Sequence, residues 1–94
     1  MLEKVVEQHL KRQVELLGGR CYKWSSPSNN GVPDRIVFVK NQIWFIELKS
    51  PTGKMSKLQQ LFFKFVKDYT SNYAVLSTLN EVDIWILKIS QINI

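Results

Sequence analysis

The spacing of apolar positions along the chain changes from the repeat of a helix to that of strands. Apolar residues recur every three to four positions over residues 2–17, which predicts an amphipathic helix that Gly18 and Gly19 end. Residues 34–39 and 42–49 each carry apolar side chains on both faces, a pattern typical of strands in the middle of a covered sheet. The pattern therefore predicts a helix followed by two adjacent central strands.

The remaining elements are short and are separated by turn-forming residues. We predict strands over residues 20–24 and 73–76 and a helix over residues 56–69. A threonine followed three residues later by a glutamate resembles a capping box, so residues 80–89 are expected to form a third helix. The isoleucine and valine content of this last segment also permits a strand. The order αβββαβα predicts an α/β fold, a mixed sheet flanked by helices, with residues 1–94 as a single domain.

The helix over residues 56–69 carries more apolar residues than one narrow stripe can hold. Five of them are predicted to be buried: Leu58, Leu61, Phe62, Phe65 and Tyr69. Phe63 falls off this face. In a small domain, surplus apolar surface on Phe63, Trp85 or Ile86 is a reason to expect a dimer.

Composition narrows the class of protein. The chain has 94 residues, of which 45% are apolar, enough for one core. The single Cys21 excludes a disulfide framework and a cysteine-based zinc site, and it fits a reducing compartment. No apolar run approaches the roughly 20 residues of a membrane span, and the amino terminus lacks a secretory pattern, so we expect a cytoplasmic protein without membrane contacts. The formal net charge of +5 favours an anionic partner, most commonly nucleic acid.

Two carboxylates are predicted to face each other across the central strand pair. If the strands turn at Lys40 and Asn41, counting back from the turn places Asp34 opposite Glu47. The same register matches apolar residues with apolar residues, and a slip by one residue would spoil both faces. Because side chains alternate along a strand, Lys49 emerges on the same face as Glu47.

This arrangement favours chemistry on a phosphodiester. Opposed carboxylates repel each other, so they need a compensating charge, and hard oxygen ligands suit Mg²⁺ or Mn²⁺. A bound metal ion lowers the pKa of water and so supplies a hydroxide nucleophile. Lys49 is placed to orient that water or to stabilise charge on a phosphate. A Glu-x-Lys pair on a solvated strand face is the alternative, but Ile43 and Phe45 precede the pair on the same face.

The motifs resemble those of a known nuclease family, the viral-type replication-repair nuclease (VRR-NUC) domain of the PD-(D/E)xK superfamily. Four features carry the resemblance: Glu7 on the first helix, Gly-Val-Pro-Asp-Arg at 31–35, Glu-Leu-Lys at 47–49, and Gln59 on the next helix. The resemblance extends from Glu3 to about Leu76. It implies a restriction-endonuclease-like fold and Mg²⁺- or Mn²⁺-dependent cleavage of DNA. The stand-alone phage and bacterial members it resembles imply a homodimer that acts on branched DNA such as four-way (Holliday) junctions.

The resemblance also assigns roles to residues by position. Asp34 and Glu47 are implied to bind the metal ion, with the backbone carbonyl of Leu48 as a further ligand. Lys49 is implied to position or activate the attacking water.

Two further residues match the family's pattern outside the strands. Glu7 is implied to be the helix-one acid and a metal ligand, with Glu3 as the alternative one turn earlier. An ion pair between Glu7 and Lys11 is the structural interpretation of the same residue. Gln59 is implied to orient the site or contact DNA, and an ordinary residue at a helix boundary is its alternative.

Four cations are predicted to contact DNA. Lys54 and Lys57 follow the catalytic strand and are the first candidates, together with Lys23 and Arg35. An ion pair that stabilises the fold is the alternative for Arg35. Trp24 is expected in the core, with base stacking as its alternative.

The function predicted from these observations is that of a metal-dependent DNA endonuclease. The alternative is a non-catalytic basic DNA-binding module in which Asp34 and Glu47 are structural, and a third possibility is a protein-interaction domain. The loop over residues 25–31 is expected either to embrace DNA or to serve as a plain connector.

Overall fold

The computed structural model describes residues 3–26 and 31–92, which form three helices and four strands in the predicted order. The elements are α1 (Glu3–Leu16), β1 (Arg20–Lys23), β2 (Arg35–Val39), β3 (Gln42–Leu48), α2 (Lys57–Val66), β4 (Tyr73–Leu76) and α3 (Leu79–Ser90). The α/β class is confirmed, and the segment that also permitted a strand is the helix α3. Leu2 and most of the predicted loop over residues 25–31 lie outside the described residues. No helix in the described part of the chain is long and apolar enough to cross a membrane.

The four strands form one mixed sheet in the order β1-β2-β3-β4. The pairs β1·β2 and β2·β3 are antiparallel, and β4 runs parallel to β3. The tight turn between β2 and β3 places Lys40 and Asn41 at φ 53° and 61°, as a two-residue hairpin of primed type requires. This turn sets Val39 opposite Gln42, which confirms the register predicted from the sequence.

The main core lies between one face of the sheet and the helices α1 and α3. Its buried side chains come from both layers: Val6, Leu10, Val14, Val37, Val39, Trp44, Ile46, Leu48, Leu76, Val82, Trp85 and Ile89. The connection from α1 to β1 requires two glycines. Gly18 has φ +83°, and a Cβ on Gly19 would overlap the backbone oxygen of Phe38. The predicted end of the first helix is thereby confirmed.

The opposite face of the sheet is covered only in part, so the expectation of two fully covered faces is wrong for the far end of β2 and β3. Phe38 and Ile43 are 44% and 51% exposed at that end. Near the other end, the ring of Trp24 packs against Phe45 and Phe62 with centroid distances of 5.9 Å to each. Trp24 therefore belongs to an aromatic layer under α2, as its core interpretation predicted.

Helix α2 presents a different stripe to the sheet from the predicted one. Phe63 and Val66 are its buried residues. Four residues predicted to be buried are more than half exposed: Leu58, Leu61, Phe65 and Tyr69. Phe63 and Val66 lie four and seven positions after Gln59, so the face that carries Gln59 towards the sheet also carries these two residues inward. Surplus apolar surface is thus exposed on the outer side of α2 and, at Ile84 and Leu87, on α3, whereas Phe63 and Trp85 are buried and Ile86 is half-buried.

Candidate active site

Asp34 and Glu47 meet at the end of the β2–β3 ladder. The last recorded pair of the ladder is Arg35 opposite Ile46, so the next positions outward are Asp34 and Glu47. The carboxylate of Asp34 accepts a hydrogen bond from the backbone N–H of Leu48, with 3.0 Å between nitrogen and Oδ2. The hairpin turn therefore fixes the placement of both carboxylates.

Glu47 is buried, and its two carboxylate oxygens differ in their hydrogen-bond partners. Its exposed fraction is 1%. Its Oε2 accepts a hydrogen bond from Gln59 Nε2 at 2.9 Å and lies 3.5 Å from Lys49 Nζ. Its Oε1 is buried and has no hydrogen-bond partner among the described residues. Burial and, to a smaller extent, the charge of Asp34 together raise the pKa of Glu47 from 4.5 to about 7, and Lys49 acts in the opposite direction.

The donor set of this pair fits a divalent cation. A buried carboxylate oxygen without a partner, beside a second carboxylate, is a position where a positive charge is favourable. Mg²⁺ binds through one or two carboxylates and completes its shell with water and phosphate oxygens. In residues 3–26 and 31–92, no cluster of three or more His, Cys, Asp and Glu side chains could hold a metal ion. Asp34 and Glu47 are the two side chains of this site that could hold one, with water and phosphate oxygens in the remaining positions.

The structure does not bring Glu7 to these two carboxylates. Glu7 Oε2 instead forms an ion pair with Arg35 Nη2, while Arg35 Nη1 donates to the backbone oxygen of Asp34 at 2.9 Å. This pair joins α1 to β2, and it replaces the partner Lys11 that the helical spacing suggested. Glu3 is exposed on the first turn of α1. The role of a helix-one acid in metal binding stays a prediction.

The predicted DNA contacts differ in how they are placed. Lys23, Lys54 and Lys57 are exposed and available to an anionic ligand. Arg35 is only 5% exposed and is engaged by Glu7, so it takes the structural role that was its alternative.

One residue of the site region escaped the sequence-based prediction. Ser56 is the N-cap of α2 and forms a capping box with Gln59, in which each residue bonds the other's backbone N–H. The signal was present in the sequence, because a serine followed three residues later by a glutamine ahead of an apolar run is the signature of this box.

The chain is similar to proteins of one nuclease family. The VRR-NUC domain family matches residues 3–78. A protein named "Putative nuclease p44" from Acyrthosiphon pisum secondary endosymbiont phage 1 is 43% identical over 58 residues, or 61% of this chain. The match spans 62% of the length of that relative. A solved structure described as a VRR_NUC domain superposes with a TM-score of 0.83 at 29% identity, covering 90% of this chain and 94% of that one. Because the family match extends over most of the chain, this protein belongs to the VRR-NUC family of nuclease domains.

Proposed function

We propose that this protein is a metal-dependent DNA endonuclease that hydrolyses phosphodiester bonds, with branched DNA such as a four-way junction as its substrate. The observation that carries the proposal is the buried Glu47, which lies beside Asp34, keeps one oxygen without a partner in the described residues, and has Lys49 near its other oxygen. A buried carboxylate beside a second carboxylate is costly to fold, and such an arrangement is typical of a functional site.

Each residue of the site has a separate role in the proposed hydrolysis. Asp34 and Glu47 would hold a divalent ion, Mg²⁺ or Mn²⁺, with the predicted carbonyl of Leu48 as a further ligand. When bound, such an ion polarises a phosphoryl oxygen and lowers the pKa of water. Lys49, whose side chain is 25% exposed, reaches the mouth of the site and orients the attacking water. Gln59 holds the Oε2 of Glu47 in place through its amide.

The charge distribution supports a DNA substrate. The formal net charge is +5. Exposed Lys54 lies between the end of β3 and the start of α2, and exposed Lys57 is the first residue of α2, so both are next to the site in the chain. Lysines at such positions bind phosphates without reading bases, so recognition rests on the shape of the DNA.

A homodimer is the second part of the proposal, and the outer face of α2 is its interface. The exposed Leu58, Leu61 and Phe65 line a shallow groove of about 400 Å³, together with the half-buried Phe62, which also packs against Trp24. Apolar surface of this kind on a small domain is typical of an interface, and a twofold pairing buries the same patch on both copies. Because Gln59, which contacts Glu47, lies in the first turn of α2, pairing through α2 would bring two active sites to one assembly, as cleavage of two strands of a junction requires.

Cleavage assays on defined substrates test this function. We expect wild-type protein with Mg²⁺ or Mn²⁺ to cut a four-way junction faster than linear duplex, flap or splayed DNA. We expect Asp34→Asn and Lys49→Ala to lower the cleavage rate by at least about 100-fold, because they remove a metal ligand and the group that orients the water. Asn retains an acceptor for the Leu48 N–H, so the fold should persist.

The matched control is Lys88→Ala, which removes an exposed lysine of α3 that makes no ion pair in the described residues and does not lie on the helix proposed as the interface. It should cleave as wild type does. Full metal-dependent cleavage by Asp34→Asn or Lys49→Ala would contradict the mechanism. Salt-sensitive DNA binding without cleavage under any divalent ion would instead support the alternative, a DNA-binding module.

A further inference from the structure

Gln59 connects the start of α2 to the buried carboxylate of Glu47. Its Nε2 donates to Glu47 Oε2 at 2.9 Å, and its Oε1 accepts from the backbone N–H of Ser56 at 2.9 Å. Its own backbone N–H donates to Ser56 Oγ at 3.1 Å. The side chain that contacts Glu47 is therefore one half of the helix cap.

The capping box determines which end of the Gln59 amide faces Glu47. The backbone N–H of Ser56 is a donor only, so it is satisfied by the carbonyl oxygen of the amide and not by its NH₂ group. With Oε1 held in this way, Nε2 faces the carboxylate. The flipped amide would set donor against donor at Ser56 and acceptor against acceptor at Glu47, so both contacts select the same orientation.

The N-cap of α2 lies in extended conformation, with φ −65° and ψ 162°, and it keeps this geometry through the hydrogen bond from Gln59 N to Ser56 Oγ. Without the hydroxyl, the first turn of α2 loses one of its capping bonds, and the Ser56 N–H is no longer fixed against Oε1. The partner of Glu47 Oε2 that remains is Lys49 Nζ, at the longer distance of 3.5 Å.

We propose that Ser56 is a positioning residue of the active site, which acts through Gln59 to hold Glu47 ready for its metal ion. This inference rests on the proposed function. Residues that orient a ligand from outside its coordination shell typically change metal affinity or activity by 10–100-fold when they are removed. A serine that served only to stabilise α2 would have no such effect on metal binding.

A second helix cap in the chain serves as a control that distinguishes the positioning of Glu47 from the stabilisation of a helix. Thr78 caps α3, with its Oγ1 accepting from Glu81 N at 3.0 Å, and Glu81 Oε1 accepts from the backbone N–H of Ser77 at 2.6 Å. The hydrogen bonds of this cap stay within residues 77–81, so none of them includes Glu47, although the cap follows directly on β4. Thr78→Ala therefore removes a cap of the same kind without removing a hydrogen bond of Glu47 or Gln59.

The experiment compares Ser56→Ala, Ser56→Thr and Thr78→Ala with wild type, well below their melting temperatures. Calorimetric titration with Mn²⁺ alone, in the absence of DNA, gives metal affinity, and single-turnover cleavage of a junction gives the rate. We expect Ser56→Ala to lose about tenfold in Mn²⁺ affinity and in cleavage rate, Ser56→Thr to recover most of both, and Thr78→Ala to match wild type. Ser56→Gly is the second variant, since glycine caps a helix nearly as well while it lacks the hydroxyl.

A readout that needs no activity keeps this inference separate from the proposed function. In metal-free protein, NMR resonances of the Gln59 side-chain NH₂ should be well separated and slow to exchange in wild type and Thr78→Ala. They should move towards those of a free amide in Ser56→Ala. Unchanged Gln59 resonances, together with equal Mn²⁺ affinity in Ser56→Ala and Thr78→Ala, would overturn the positioning role. If wild type neither binds Mn²⁺ nor cleaves DNA, the proposed function fails and the resonances alone decide the position of Gln59.

Discussion

At the scale of single residues, Glu47 is placed where its charge opposes folding. The side chain is almost fully buried, lies next to Asp34, and keeps one oxygen without a partner in the described residues. Burying a carboxylate costs free energy unless other groups compensate it. Lys49 and Gln59 compensate one oxygen only. In the absence of metal, we therefore expect Glu47 to lower the stability of the protein near neutral pH.

The raised pKa of Glu47 determines the direction of this effect. The native state has a pKa of about 7 where the ordinary value is 4.5, so the folded protein binds this proton more tightly than the unfolded chain. The contribution of Glu47 to stability is therefore greatest below the unfolded pKa and is lost as pH rises to about 7. In EDTA, we expect the free energy of unfolding of Glu47→Gln to exceed that of wild type by roughly 2 kcal/mol at pH 8 and by much less at pH 5.

Urea denaturation at several pH values measures this difference. Glu3→Gln, which changes an exposed glutamate of α1, is the control and should follow wild type at every pH. If the free energies of unfolding of Glu47→Gln and wild type differ by the same amount at pH 5 and pH 8, the buried charge is not the cause of the difference.

At the scale of residues, the sequence could predict the placement of some side chains of the site and not of others. Asp34, Glu47 and Lys49 were found because a turn and strand alternation fix their positions from nearby residues alone. The pair between Glu7 and Arg35 could not be found this way, since it joins α1 to β2 and depends on how the helix docks on the sheet. Local spacing offered Lys11 as a partner instead.

At the scale of elements, α2 shows why a correct helix was assigned the wrong buried face. Its apolar residues cover more than one stripe, and periodicity does not say which stripe meets the sheet. The contact between Gln59 and Glu47 and the packing of Phe63 on Tyr73, with ring centroids 5.4 Å apart, show the orientation that the tertiary structure selects. The expectation that both faces of the central strands are fully covered was wrong for a related reason. Their outer face is apolar at Ile36, Phe38, Ile43 and Phe45, yet Phe38 and Ile43 are exposed in the described structure.

Two phenylalanines of α2 test its orientation. Phe63 is 8% exposed and Phe65 is 60% exposed, two positions apart on the same helix. We expect Phe63→Ala to lower the free energy of unfolding by about 3 kcal/mol because it leaves a cavity against the sheet. Phe65→Ala should change it by less than about 0.5 kcal/mol when measured at a protein concentration low enough for monomers. Chemical denaturation measures both variants, and equal losses would contradict the observed orientation.

At the scale of the whole molecule, the exposed face of α2 bears on whether two copies of the chain pair. The described residues leave Leu58, Leu61 and Phe65 exposed on this face, over about two helical turns. The active site lies at the start of the same helix. An interface between two copies on α2 would therefore relate the two active sites by symmetry, and the distance between them would select substrates with matching phosphates.

A charge placed on the outer face of α2 tests this assembly. Leu61 is 55% exposed, and Leu61→Glu would set two carboxylates against each other in a twofold interface, so we expect the variant to be a monomer in sedimentation analysis. Leu87→Glu is the matched control, because Leu87 is 61% exposed on α3 and should leave the dimer intact. With both sites no longer in one particle, Leu61→Glu should nick one strand of a junction and lose the paired cuts. Paired cleavage by a monomeric Leu61→Glu variant would show that the two incisions do not depend on pairing through α2.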